Sequence, residues 1–238
     1  MKNKKIIIVG GDSFIGKKLI SFFQRKKITF LATSKKKRKQ KNFIYFNLKS
    51  KNNFLNKYQP TYIIFCAGIT NINFCQKNKK FSRKINIDYA KLFFYECIKR
   101  NIHIIYFSTD KVYKSKNLNN KINEYGKQKI IIEKFLKKKS KLYTILRLGK
   151  IIHNKLSLYA KWRKQLADGL PIEVFSNYYY YNTSIKDLLI TVYSVVTKKN
   201  NFRIINLYDK KRFSYVDLAN SFLKKTSKTF LKKVYFNF

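Results

Sequence analysis

Short apolar runs alternate with helix-spaced stretches along the first two thirds of the chain. Residues 5–9 predict a strand, followed by GGDSFIG at 10–16 and an amphipathic helix through Phe23. Further strands are predicted at 28–33, 42–48, 61–67, 102–107 and 143–148. The run at 61–67 reads as apolar on both faces, as expected of a buried parallel strand. Helices are predicted at 53–58, at 82–100, with Ile85, Tyr89, Leu92, Phe93 and Ile98 apolar, and at 125–137. Such alternation implies right-handed crossovers and an α/β fold, a doubly wound parallel sheet covered on both faces.

The rhythm changes after Leu148. A short helix is expected near 157–166, then a strand at 172–175 and a tyrosine run at 178–181. A helix at 186–197, a strand at 202–207 and a helix at 215–224 follow. No repeat and no Gly/Ser/Pro linker interrupts the chain. Residues 1–150 therefore read as a dinucleotide-binding domain, and 151–238 as a small substrate lobe packed on it.

Composition narrows the picture. With 45% hydrophobic and 17% aromatic residues, the 238-residue chain can bury a sizeable core, which excludes general disorder. No apolar run is long enough for a transmembrane helix, and the N-terminus lacks the pattern of a signal peptide. Cys66, Cys75 and Cys97 form no CxxC pair, which fits a reducing cytoplasm and argues against a disulfide framework or a metal site. The formal charge is +43, but 46 of the 54 basic residues are Lys. Nucleic-acid readers favour Arg for bidentate contacts. Lys, Asn, Ile, Phe and Tyr all have A/T-rich codons, so a compositional origin is preferred over a nucleic-acid partner. Either way the field attracts anionic ligands.

The glycine turn carries the first chemistry. Gly10, Gly11 and Gly16 fall between a strand and a helix, where a dinucleotide pyrophosphate needs close backbone approach and a helix N-terminus. Ser13 stands where Gly is more usual. The next strand ends in Thr33, Ser34, Lys35, Lys36, Lys37 and Arg38, and no acid lies between Asp12 and Asp88. An acid there would hold the ribose 2′-hydroxyl of NAD. Hydroxyl and cations instead favour the 2′-phosphate of NADP, with NAD as the alternative.

A second constellation lies beyond the carboxyl ends of the strands. The strand at 102–107 leads into Ser108, Thr109 and Asp110, and the next helix opens with Tyr125 and carries Lys129 one turn later. An ammonium beside a phenol lowers its pKa toward a useful range. The Thr109 hydroxyl is placed to polarise a substrate carbonyl for hydride attack.

With GGDSFIG, FCAGIT (65–70), KIN (84–86), FSTDKVY (107–113), NEYGKQK (123–129), YTILRLG (143–149) and SIKDLL (184–189) in this order, the sequence resembles the extended short-chain dehydrogenase/reductases. The branch it resembles is the sugar-nucleotide group typified by dTDP-4-dehydrorhamnose reductase. The resemblance implies a Rossmann fold, a nicotinamide cofactor and a nucleotide-sugar substrate. It implies Thr109, Tyr125 and Lys129 as the catalytic set. It also implies Gly10, Ser13, Phe14, Ile15 and Gly16 as pyrophosphate contacts, with Cys66, Ala67 and Gly68 as a wall beside the cofactor. Ser34 and Lys35 join them at the ribose end, and Tyr125 and Lys129 also face the cofactor. The loop between Asp110 and Tyr125 is short and lacks the prolines common in the family.

The leading expectation is NADP-dependent reduction of a 4-keto sugar nucleotide, in surface-polysaccharide synthesis. Rivals are an epimerase or 4,6-dehydratase of the same family, and a non-catalytic NADP-binding regulatory subunit. Intact Thr109, Tyr125 and Lys129 speak against the last. A homodimer is left open. His103 and His153 stand alone and read as structural, as does Cys66 in its packing; Arg147 reads as an ion-pair partner at least as readily as a substrate contact.

Overall fold

The computed structural model describes residues 5–49, 54–113, 122–154, 156–198, 202–226 and 231–234. Strand β1 (Ile6–Val9) is followed by α1 (Phe14–Arg25), β2 (Phe30–Ser34), β3 (Phe43–Tyr45), α2 (Phe54–Tyr58) and β4 (Tyr62–Phe65). Two short helices, α3 (Ile72–Lys77) and α4 (Lys79–Arg83), lead through a π-helical turn at Lys84–Tyr89 into α5 (Ala90–Lys99). Next come β5 (His103–Thr109), a 3₁₀ turn at Asp110–Val112, α6 (Glu124–Lys139) and β6 (Tyr143–Leu148). The chain continues with α7 (Ser157–Ala167), β7 (Ile172–Phe175), β8 (Tyr179–Tyr181) and α8 (Ile185–Thr197). It goes on to β9 (Ile204–Leu207), β10 (Arg212–Ser214), α9 (Tyr215–Thr226) and β11 (Leu231–Val234).

Seven strands form one sheet in the order β3-β2-β1-β4-β5-β6-β9. The pairs from β3 to β5 are all parallel. The doubly wound sheet expected from the pattern is present, and its strand order reverses at β1, between β2 and β4. Ile7, Ile8, Val9, Ile63, Ile64, Ile104, Ile105 and Ile145 are all at most 1% exposed, so the central strands are buried on both faces. Each such side chain stabilises the fold by roughly 1.5–3 kcal/mol. Phe46, Phe54, Phe65, Phe93, Phe94 and Tyr106 add a connected ring cluster with centroids 4.6–6.4 Å apart. Much of the aromatic excess is therefore core.

The chain divides into two compact units: residues 1–147 with 186–206, and residues 148–185 with 207–238. The sequence pattern suggested one boundary, at 150. What differs is the return of residues 186–206 to the first unit. Ile145 N–H donates to the Arg203 carbonyl at 2.8 Å, the Thr144 hydroxyl to the Phe202 carbonyl at 3.1 Å, and Tyr193 of α8 meets Phe22 of α1 edge-on. A four-residue strand carries no mark of the sheet it will join. In the second unit β7 pairs with β11 and β8 with β10, over a core that includes Tyr159, Trp162, Ile172, Tyr180 and Phe222.

Local differences are few. The strand expected at 42–48 pairs only over Phe43–Tyr45. The helix expected from Asn53 is described from Phe54; Asn53 and residues 114–121 of the short loop lie outside the described residues. Helix α3 was not anticipated, although Asn71 caps it by accepting from Phe74 N–H at 2.8 Å. No helix among the described residues is long and apolar enough to cross a membrane.

Candidate functional site

The glycine turn lies at the carboxyl end of β1, where the strand order reverses. Gly10 has φ +86°, in the region that favours glycine, and donates its N–H to Thr33 Oγ1 at 3.0 Å. A Cβ on Gly10 would sit 2.8 Å from Ala67 N, and one on Gly16 only 2.4 Å from the Gly10 carbonyl oxygen. The missing side chains thus let the turn after β1 lie against the turn after β4, and let α1 start directly above the strand. Ser13 is the N-cap: its Oγ accepts from Gly16 N–H at 3.0 Å. Phe14 and Ile15 open α1, whose first-turn amides and dipole favour an anion. These residues fit a dinucleotide pyrophosphate.

Cys66, Ala67 and Gly68 form the facing turn. The Cys66 thiol, pushed up by burial, is hydrogen-bonded by Ser13 and lies within electrostatic reach of Lys129. This turn is clamped from the π-helical segment. Asn86 Oδ1 accepts from Ile69 N–H and Asn86 Nδ2 donates to the Ile69 carbonyl, both at 2.8 Å. Gln128 Oε1 takes a further bond from Asn86 at 2.7 Å, and Gln128 Nε2 donates to Ser82 Oγ and Glu124 Oε1.

The end of β2 is not without an acid. Asp12 reaches back from the glycine turn, accepting from the Ser34 hydroxyl at 2.5 Å and from the Arg38 guanidinium. Burial pushes the Asp12 carboxyl up, but Ser34 and Arg38 together hold it below the usual carboxylate range. Ser34 is buried and also accepts from Lys36 N–H at 2.9 Å, whereas Lys35 is exposed.

Helix α6 brings the second constellation together. Asn123 caps it through Gly126 N–H at 2.8 Å. A Cβ on Gly126 would lie 2.4 Å from the Lys111 carbonyl oxygen, so this glycine seats the helix start against the Asp110–Val112 turn. Tyr125 and Lys129 share one face, with the Lys129 Nζ 5.5 Å from the Tyr125 ring centroid and 4.6 Å from that of Tyr106. That Nζ donates to the Phe107 carbonyl at 2.7 Å. Burial lowers the Lys129 ammonium to about 8. Tyr125 is itself buried, and burial, with Cys75 and Asp110 nearby, pushes its phenol above the ordinary value. The lysine was expected to pull the phenol down; burial instead pushes it up, and the phenol carries its proton at neutral pH. Thr109 Oγ1 donates to Asp110 Oδ1 at 3.0 Å and accepts from Lys111 N–H at 3.3 Å, while Lys111 Nζ pairs with Asp110 at 3.1 Å.

Arg147 is an ion-pair residue: it grips buried Glu133 with bonds of 3.0 and 2.6 Å, and Ser108 donates to the same carboxylate at 2.6 Å. His103 is structural, bonded to Thr144 Oγ1 at 2.9 Å and pushed down to about 4 by burial. Sequence reasoning missed Arg83, Asn86, Glu124, Gly126 and Gln128 as supports of the site. For all but Arg83 the signal was present in KIN and NEYGKQK, but the contacts span 42 residues, from Asn86 to Gln128, beyond any local pattern.

Residues 4–234 match the model of the family described as RmlD substrate binding domain. No curated protein sequence matches the chain. Among solved structures, the dTDP-4-dehydrorhamnose reductase of Bacillus anthracis in complex with NADP superposes with a TM-score of 0.82 at 18% identity, covering 99% of this chain and 86% of that one. A dTDP-4-dehydrorhamnose reductase from Clostridium acetobutylicum gives 0.79 at 22% identity, over 98% and 84% of the two chains. The UDP-glucose 4-epimerase of Thermus thermophilus, in complex with NAD, gives 0.81 at 13% identity, over 97% and 85%. These likenesses establish the fold.

Proposed function

The chain belongs to the RmlD substrate binding domain family, within the extended short-chain dehydrogenase/reductases, and from this we propose that it reduces the 4-keto group of a sugar nucleotide. The hydride donor is NADPH, with NADH as the alternative. One observation carries the reading. The glycine turn packs on the turn after β4, with Gly10 against Ala67, and Asn86 ties that turn through Ile69 and Gln128 to α6, the helix that carries Tyr125 and Lys129. All of these belong to the first unit, to which we assign the dinucleotide; residues of the second unit are assigned to the sugar nucleotide.

The bound nicotinamide would supply the hydride to the carbonyl carbon. Tyr125 gives its phenolic proton to the carbonyl oxygen as the general acid. Lys129 faces the phenolate that results and stabilises it as an ammonium. Thr109, whose hydroxyl donates to Asp110 in the structure, would turn that donor to the carbonyl oxygen when the ketone binds and hold it for attack. Ketone, hydride and proton give the alcohol, and solvent reprotonates Tyr125.

Lys111, which pairs with Asp110 at 3.1 Å, favours reduction over 4,6-dehydration, since an ammonium following the Asp cannot accept the proton that elimination of water must remove. The test is stoichiometry. Incubated with a dTDP-4-keto-6-deoxyhexose, the protein is expected to consume one NADPH per sugar reduced. Product formed from an intact hexose nucleotide with a constant NADPH absorbance would overturn the assignment in favour of a recycling enzyme.

A further inference from the structure

The acid that a strand-end reading finds missing arrives from the glycine turn. Asp12 and Ser34 are 22 positions apart, yet the Ser34 hydroxyl donates to Asp12 Oδ2 at 2.5 Å. Arg38 donates to the other carboxylate oxygen, and its guanidinium lies 5.8 Å from the Phe43 ring centroid. Both oxygens of Asp12 are thus occupied at the carboxyl end of β2, the place where a Rossmann sheet meets the adenosine ribose.

We propose that Asp12 sets the choice between the two nicotinamide dinucleotides, accepting the 2′-hydroxyl of an unphosphorylated ribose and opposing a 2′-phosphate. This rests on the dinucleotide site proposed above. A 2′-phosphate needs cationic and hydroxyl donors, and here Ser34 and Arg38 already serve a carboxylate. To bind them it must draw Arg38 away and then lie beside a like charge. A ribose diol asks for nothing to break, because it can donate to Asp12 where it stands. The Asp12–Arg38 pair is 36–39% exposed, and ion pairs this exposed are weak, so a phosphate can still displace it. The surrounding lysines of residues 35–37 add attraction for it. The chain therefore accepts both dinucleotides, and Asp12 is what keeps it from being strict for NADPH.

Titrating the purified chain with NADPH and with NADH, followed by cofactor fluorescence at one salt concentration, tests this without turnover. In wild type both are expected to bind. In Asp12→Asn the ratio Kd(NADPH)/Kd(NADH) should fall at least about tenfold, as removal of a like charge requires. Adding Arg38→Gln to that variant should abolish the gain, since the guanidinium freed from Asp12 is what the phosphate uses. An unchanged ratio in Asp12→Asn, or a gain that survives Arg38→Gln, overturns the proposal while leaving the dinucleotide site intact. Failure of wild type to bind either dinucleotide overturns the site reading and this inference with it.

Discussion

Arg83 holds Glu124 with two guanidinium bonds, Nε at 2.6 Å and Nη2 at 3.1 Å, one residue before the tyrosine that heads the site. The pair ties the end of α4 to the first turn of α6. Glu124 is buried, while the Arg83 side chain is 46% exposed, so the acid is the member that suffers if the pair is broken.

Arg83→Met should therefore destabilise the chain by about 1–3 kcal/mol at neutral pH, the range for stranding a buried acceptor. Burial raises the Glu124 carboxyl, but the bonds from Arg83 and Gln128 bring it below its ordinary 4.5. A carboxyl depressed on folding stabilises above its unfolded value and loses that contribution as pH falls through the folded one. The gap between wild type and variant should accordingly shrink below pH 4.5. Urea unfolding at several pH values checks it; a gap that does not vary with pH would mean the pair's charge is irrelevant.

Tyr125→Phe removes the proposed proton donor and little else. Turnover should drop by at least about 10²-fold, the usual scale for a lost general acid. NADPH affinity should hold within about twofold, since ring packing against Lys129 is kept. Steady-state rates beside a fluorescence titration distinguish this from a folding defect; near-normal turnover removes Tyr125 from the mechanism.

The Lys129 ammonium, lowered to about 8, sets a pH limit. It is charged below that value and neutral above, so kcat/KM for reduction should be level up to about pH 8 and then fall roughly tenfold per pH unit. Tyr125 is pushed above its ordinary value and does not contribute to this limb. A kcat/KM profile that stays flat to pH 10 would show that the ammonium charge is not needed; the test window follows from the two directions just given.

Gly16→Ala would place a Cβ 2.4 Å from the Gly10 oxygen and 2.9 Å from the Gly11 Cα. The neighbours are backbone and cannot swing aside. The loss expected is about 1–3 kcal/mol, typical of overpacking, together with weaker dinucleotide binding. Thermal unfolding and titration report the two effects separately; unchanged affinity in a destabilised variant would detach the turn from the cofactor.

Much of this was legible in the sequence because the periodicities are local. The apolar run around Ile63 and Ile64 and the glycines after Val9 announce a buried parallel sheet and its turn without any distant partner. The Tyr125–Lys129 spacing is likewise one helical turn. What was not legible depends on partners far along the chain. Asp12 lies outside the stretch at the end of the second strand where an acid was looked for, and its bonds to Ser34 and Arg38 cross 22 and 26 positions. Asn86 looked like one polar residue in a long helix, but the π-helical turn carries it inward to clamp Ile69. The effect of Lys129 on Tyr125 was misjudged because burial, which no spacing reveals, acts on both groups.

The sheet also has an order of assembly written into it. Its seventh strand is drawn from residues 204–207, after the chain has passed through 148–185 of the other unit. During synthesis β6, which ends at Leu148, must wait with its outer edge unpaired until the chain has reached β9 at Ile204–Leu207. An exposed strand edge is a template for pairing with other chains. The nascent protein is thus exposed to mispairing after most of its first unit has formed, and a fragment ending at 150 would carry that open edge permanently.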